Sequence, residues 1–137
     1  SAYGTFSTGK YVKPMLYEWI TAKDGVSLAE SKVSSEEIIT PEDAAEMRKL
    51  LHAVVEEGTA VKAKELKRTL YGKTGTTNAY TDAWFIGFDD SLVVGVWVGR
   101  DNHTPLGPKE TGARAALPIW MEFMKKVLLQ IPQNQNP

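Results

Sequence analysis

The stretch Leu70-Tyr71-Gly72-Lys73-Thr74-Gly75-Thr76-Thr77-Asn78 sets an ammonium group beside two hydroxyls, with a glycine between them. In a strand, side chains alternate between faces, so Lys73 and Gly75 share one face and Thr74 and Thr76 the other. A glycine inside a strand weakens packing and often marks close approach of a ligand or another backbone. Lys73 can hold an anionic group or tune a neighbour's proton, and threonine hydroxyls can hydrogen-bond a carboxylate. Backbone N–H groups beside Gly75 can face a developing oxyanion. The same letters could end a phosphate-binding loop, G-x-x-x-x-G-K-[ST]. That loop needs glycine at position 67, which is Lys67, and Gly75-Thr76-Thr77-Asn78 is a poor helix start. Without its flanks, Lys73-Thr74-Gly75-Thr76 reads equally well as an ordinary strand with a bulge.

Other side chains that carry chemistry are few. The sequence has no cysteine, which excludes disulfides and thiol chemistry and fits either redox compartment. His52 and His103 are solitary, with no second ligand at metal spacing, so both are expected on the surface without a metal role. Net charge is −1, so nothing in the charge balance points to nucleic acid or an anionic membrane. The basic run from Lys62 to Arg68 is interrupted by Glu65 and reads as a solvated helix face. No stretch is long and apolar enough to span a bilayer, and none reads as a signal peptide. The 137 residues, 42% apolar and 24% charged, suffice for one domain with a core.

The elements that must position the Lys-Thr-Gly stretch can be placed in order. Residues 2–13 read as the end of a helix or turn breaking at Gly9. The alternating run 16–22 and the return 26–30, joined at Asp24-Gly25, predict a hairpin within 15–31, a scaffold element without chemistry. Residues 31–39 are polar and irregular. Thr40-Pro41-Glu42-Asp43 starts a helix predicted over 41–57: Thr40 caps, Pro41 suits the first position and the acids complement the dipole. Met47, Leu50, Leu51, Val54 and Val55 recur at helical spacing, and Gly58 stops the helix. A short helical turn at 61–67 precedes a strand over 69–76, and 77–82 is a polar loop. The runs 83–88 and 92–99 predict a hairpin covered on both faces, with Trp84 and Trp97 in the core. From Thr111 the chain turns helical, 112–129, with Leu117, Trp120, Met121, Met124 and Leu128 on one face. Pro118 belongs in its first turn or kinks it. Residues 132–137 read as a disordered tail. The class is α+β: three consecutive antiparallel strands flanked by helices.

The motif Lys73-Thr74-Gly75 matches the K-T-G of penicillin-binding proteins and serine β-lactamases. The flanks "YGKTGTTNAYTDAWFIGFDDSLVVGVWVGRDN" and "ETGARAALPIW" carry the likeness further, and it runs from "AYGTFSTGKYVKP" to about residue 129. Over 1–131 the chain resembles the C-terminal part of the transpeptidase domain of class A penicillin-binding proteins of the 1A kind. The resemblance implies a serine acyl-enzyme that cross-links peptidoglycan stem peptides ending in D-Ala-D-Ala and is acylated by β-lactams. It also implies no cofactor and no metal. In that scheme Lys73 maintains the electrostatics of a Ser/Lys pair, and Thr74 and Thr76 bind the terminal carboxylate. The Thr76 N–H helps form the oxyanion hole, Gly75 keeps the strand open, and Thr77 and Asn78 are rim contacts. The family further needs S-x-x-K for the nucleophile and S-x-N. No S-x-N occurs, and Ser7-Thr8-Gly9-Lys10 is the one S-x-x-K by spacing. We read Ser7 as a decoy, because Gly9 and the extended Tyr11-Val12-Lys13-Pro14 oppose the helix on which Ser and Lys should stand one turn apart. By resemblance it also lies after the S-x-N position. The nucleophile is therefore expected in the remainder of the domain, outside this chain, which alone should be inactive. The implied location is the outer face of a bacterial cytoplasmic membrane, anchored by an N-terminal segment not included here. Other readings of the same fold are a D,D-carboxypeptidase or β-lactamase, and a non-catalytic β-lactam sensor or structural module.

Overall fold

Gly9 ends the first helix. Its φ of +79° suits a left-handed residue, and its N–H donates to the Thr5 carbonyl at 2.6 Å. This computed structural model describes residues 2–128. The residues group into two units, Ser1–Met47 and Arg48–Pro137.

In the first unit, α1 (Ala2–Thr8) leads through Gly9 into β1 (Lys10–Val12). β2 (Trp19–Thr21) and β3 (Ser27–Glu30) form the expected hairpin, shorter than 16–22 and 26–30 and with an irregularity at Ile20/Thr21. Its turn closes where Asp24 Oδ1 accepts the Val26 N–H at 3.2 Å. Residues 31–39, read as irregular, contain β4 (Ser35–Glu37), which pairs antiparallel with β1. The polar composition hid it: both strands are exposed, so no hydrophobic alternation marks them. Opposite charges face each other where Lys10 pairs with Glu37.

Helix α2 (Pro41–Glu56) begins as expected. Thr40 Oγ1 accepts the Asp43 N–H at 3.1 Å and donates to Asp43 Oδ2 at 2.9 Å, a reciprocal cap. Its buried positions are Ala44, Leu51 and Val55, whereas Leu50 is 65% exposed and lies off the stripe. Of the two adjacent leucines the helix buries only the second.

The second unit holds the main core. After a 3₁₀ helix (Val61–Leu66) come β5 (Tyr71–Thr76), β6 (Asp82–Phe88) and β7 (Val93–Gly99), in the order β5-β6-β7, antiparallel throughout. A single π-type turn (Gly112–Ala116) feeds α3 (Leu117–Leu128), with Pro118 in the first turn. Leu117, Trp120, Met121 and Met124 of α3 are buried. They belong to one cluster with Val55, Ala60, Ala63, Leu70 and Phe85. Trp120 meets Phe85 edge-on at 5.1 Å and donates its indole N–H to the Val94 carbonyl at 3.1 Å. Residue 129 and the expected tail 132–137 lie outside the described residues.

Among the described residues, the Trp84–Trp97 end of the hairpin β6–β7 is covered on one face only. Trp84 and Trp97, expected in the core, are 43% and 45% exposed and face each other at 6.3 Å on the side away from α3. Their strands are apolar on both faces, but α3 supplies a layer for just one. Towards the other end of that face Tyr71 stacks on Phe88 at 5.0 Å, and Phe88 is buried.

Candidate functional site: the free edge of the third-last strand

β5 stands at an edge of its sheet. Thr77 donates its N–H to the Asp82 carbonyl at 3.1 Å, so Thr77 and Asp82, next in register after Thr76 and Ala83, form a hydrogen-bonded pair. Such pairs alternate along an antiparallel ladder. Lys73 and Gly75 therefore spend their N–H and C=O groups on β6, while Gly72, Thr74 and Thr76 turn theirs to the free edge. Consistently, Lys73 Nζ reaches the Thr74 carbonyl at 3.0 Å. The Thr76 N–H thus points along an open edge, beside an exposed ammonium. Among the described residues Lys73 has no ion-pair partner.

The two hydroxyls on the α3 side are each held. Thr76 Oγ1 accepts the Gly112 N–H at 3.1 Å. That bond occupies an oxygen lone pair and leaves the Thr76 O–H free to donate outward. Thr74 Oγ1 lies 2.7 Å from Thr59 Oγ1. Gly112 itself lies against the strand backbone: a Cβ there would come within 2.2 Å of the Trp84 carbonyl oxygen and 2.7 Å of that of Gly75. Only glycine fits so close to two chains. Neither Thr59 nor Gly112 was singled out by sequence reasoning. Gly112 carried a signal, a glycine directly before an apolar helix in "ETGARAALPIW"; Thr59 carried none beyond following Gly58.

Upstream, the His52 side chain stays 37% exposed at the surface and is partly packed. Its Nδ1 is 2.9 Å from the Leu70 carbonyl, its ring is 5.8 Å from that of Tyr71, and Nε2 is 3.9 Å from Glu56. Downstream, Thr77 Oγ1 accepts the Asp82 N–H at 2.8 Å and bonds Thr81 Oγ1 at 2.7 Å, so this hydroxyl holds the turn. Asn78 begins that turn and is exposed. Hydrogen bonds from Trp97, then Thr81 and Thr77, hold the Asp82 carboxyl below its ordinary value. Gly75 lies on the Lys73 face, where a Cβ would sit 3.2 Å from that of Trp84.

Ser7 and Lys10 do not share one helix face. Ser7 lies in the last turn of α1, Gly9 is left-handed and Lys10 has entered β1. Among the described residues no group of three or more His, Asp or Glu could hold a metal ion, and no helix is long and apolar enough to cross a membrane.

Residues 1–125 match the family model of the penicillin binding protein transpeptidase domain. Penicillin-binding protein 1A of Aquifex aeolicus is 41% identical over 135 residues, covering 98% of this chain and 19% of the relative. The chain therefore spans about a fifth of that protein's length. The crystal structure of penicillin-binding protein 1A from Haemophilus influenzae superposes with a TM-score of 0.84 at 26% identity, over 99% of this chain and 26% of that one. Penicillin-binding protein A from M. tuberculosis, solved as an imipenem acyl-enzyme complex, shares the fold: TM-score 0.65, 23% identity, 90% of this chain and 29% of that one. The chain belongs to the penicillin-binding protein transpeptidase family and resembles its 1A members.

Proposed function

We propose that this chain supplies the K-T-G strand of a peptidoglycan D,D-transpeptidase whose nucleophilic serine lies in the rest of the domain. The observation that carries the reading is the free edge of β5, with the Thr76 N–H directed outward beside Lys73. A stem peptide ending in D-Ala-D-Ala adds to that edge as an extended strand. Its terminal carboxylate meets the Thr74 and Thr76 hydroxyls. The scissile carbonyl oxygen meets the Thr76 N–H, which stabilises the charge that develops there. The serine oxygen attacks the carbonyl carbon, the amide C–N bond breaks and the terminal D-Ala leaves with a proton. An amine of a neighbouring stem then takes the acyl group and regenerates the serine. Lys73 supplies positive charge next to the serine and its basic partner. Gly75 leaves the Lys73 face unobstructed, and Thr77 and Asn78 border the site as rim contacts. β-Lactams acylate the same serine.

The reading requires the remainder of the transpeptidase domain as a partner. It places the protein at the outer face of a bacterial cytoplasmic membrane.

The test is acylation of the full-length protein by labelled benzylpenicillin. The wild type is expected to form a stoichiometric acyl-enzyme that persists, as a transpeptidase should, and Lys73→Ala to lower the acylation rate by about 100-fold or more. Fast hydrolysis of the adduct would favour a β-lactamase instead. No adduct on the wild type would overturn the reading.

A further inference from the structure

We propose that Thr59, at the end of the loop after α2, is a positioning residue that aims the Thr74 hydroxyl at an anionic ligand. The inference rests on the reading of β5 as a carboxylate-binding strand. Each hydroxyl has one proton and two lone pairs, and Thr59 and Thr74 stand 2.7 Å apart, so either can donate. If Thr74 donates to Thr59, it has no proton left for a ligand. If Thr59 donates to Thr74, the Thr74 proton is free. A carboxylate only accepts, so its arrival selects the second arrangement: Thr59 to Thr74 to carboxylate. In such a chain each hydrogen bond polarises the next, which strengthens the last. Thr76 needs no such help, because the Gly112 N–H already occupies its oxygen as acceptor. The two hydroxyls of the strand are thus prepared in the same sense from different elements.

The local chain is built to hold Thr59 there. A Cβ on Gly58 would lie 2.8 Å from the Val54 backbone, so glycine lets the chain double back at the helix end. Ala60 then donates its N–H to the Val54 carbonyl at 3.1 Å and is fully buried. Thr59 lies between these two anchors with its side chain exposed and its hydroxyl on Thr74.

The test compares acylation of the full-length protein by benzylpenicillin, which bears a carboxylate, and by its methyl ester, which does not. Thr59→Val keeps the shape and removes the donor. It is expected to lower the benzylpenicillin rate about fivefold to tenfold, the worth of one hydrogen bond, while changing the ester rate by less than about twofold. Thr59→Ser should restore the benzylpenicillin rate. Thr74→Val should show the same selective loss, and the double variant should be little worse than either single one. Equal losses for both substrates, or none, would overturn the role of Thr59 while leaving the transpeptidase reading intact. If Thr59→Val fails to fold, Thr59→Ala, which also removes the donor, takes its place on the two substrates: loss with no preference for the carboxylate contradicts the proposal. Failure of the wild type to react with either substrate would remove the transpeptidase reading, and this proposal with it.

Discussion

The two faces of the β5–β6–β7 sheet are made of similar residues and do different things. On the α3 side, Phe85 and Trp120 are fully buried, and Thr74 and Thr76 are tied to Thr59 and Gly112. On the other side, Trp84, Ile86 and Trp97 stand half-open around Lys73. The first face stabilises the fold and fixes the hydroxyls; the second presents charge and apolar surface. Strand alternation separates the two jobs, because Lys73 and Thr74 are neighbours in sequence and opposites in space.

Substitutions can break or sharpen this contrast. The largest effect on stability is expected from Trp120→Ala, which removes the Phe85 contact and the bond to Val94 and should cost about 3–5 kcal/mol in urea unfolding. Trp84→Ala on the open face should cost about 1–2 kcal/mol, in line with the smaller area it keeps from water. Equal costs would mean that the faces are not different. Next is Gly112→Ala, whose methyl would collide with two backbone carbonyls and should cost about 1–3 kcal/mol. Gly95→Ala, where the nearest atom would be Ile86 Cγ1 at 3.6 Å, should be close to neutral by the same assay.

The smallest effect concerns Asp82, on the open face. Its folded value is depressed, chiefly by the Trp97 indole N–H at 2.9 Å. The stabilising contribution is therefore complete above the unfolded aspartate value of about 3.9 and is lost as pH falls through the lower folded value. Trp97 fluorescence should show a transition below about pH 4 that Asp82→Asn removes; an unchanged transition would show that another group is responsible.

The periodicity of α2 and the buried face of α3 were legible because their apolar residues recur at helical spacing, and the hairpin β6–β7 because two short apolar runs flank a polar turn. The strand pair β1–β4 was not, since neither strand buries anything. The placement of Trp84 and Trp97 was misread for a physical reason. A strand that is apolar on both faces implies cover on both, but it does not say which segment provides it. Lys73, Thr74 and Thr76 were visible as a motif. Thr59 was not, because an isolated hydroxyl after a helix has no pattern, and only the turn forced by Gly58 brings it to Thr74.

The central claim is that this chain brings the binding strand and not the nucleophile. The most direct measurement is peptide mapping by mass spectrometry of the full-length protein after reaction with benzylpenicillin, alongside the Ser7→Ala variant. The account predicts an adduct on a serine outside residues 1–137 and an unchanged yield in Ser7→Ala. An adduct on Ser7, lost in the variant, would contradict it.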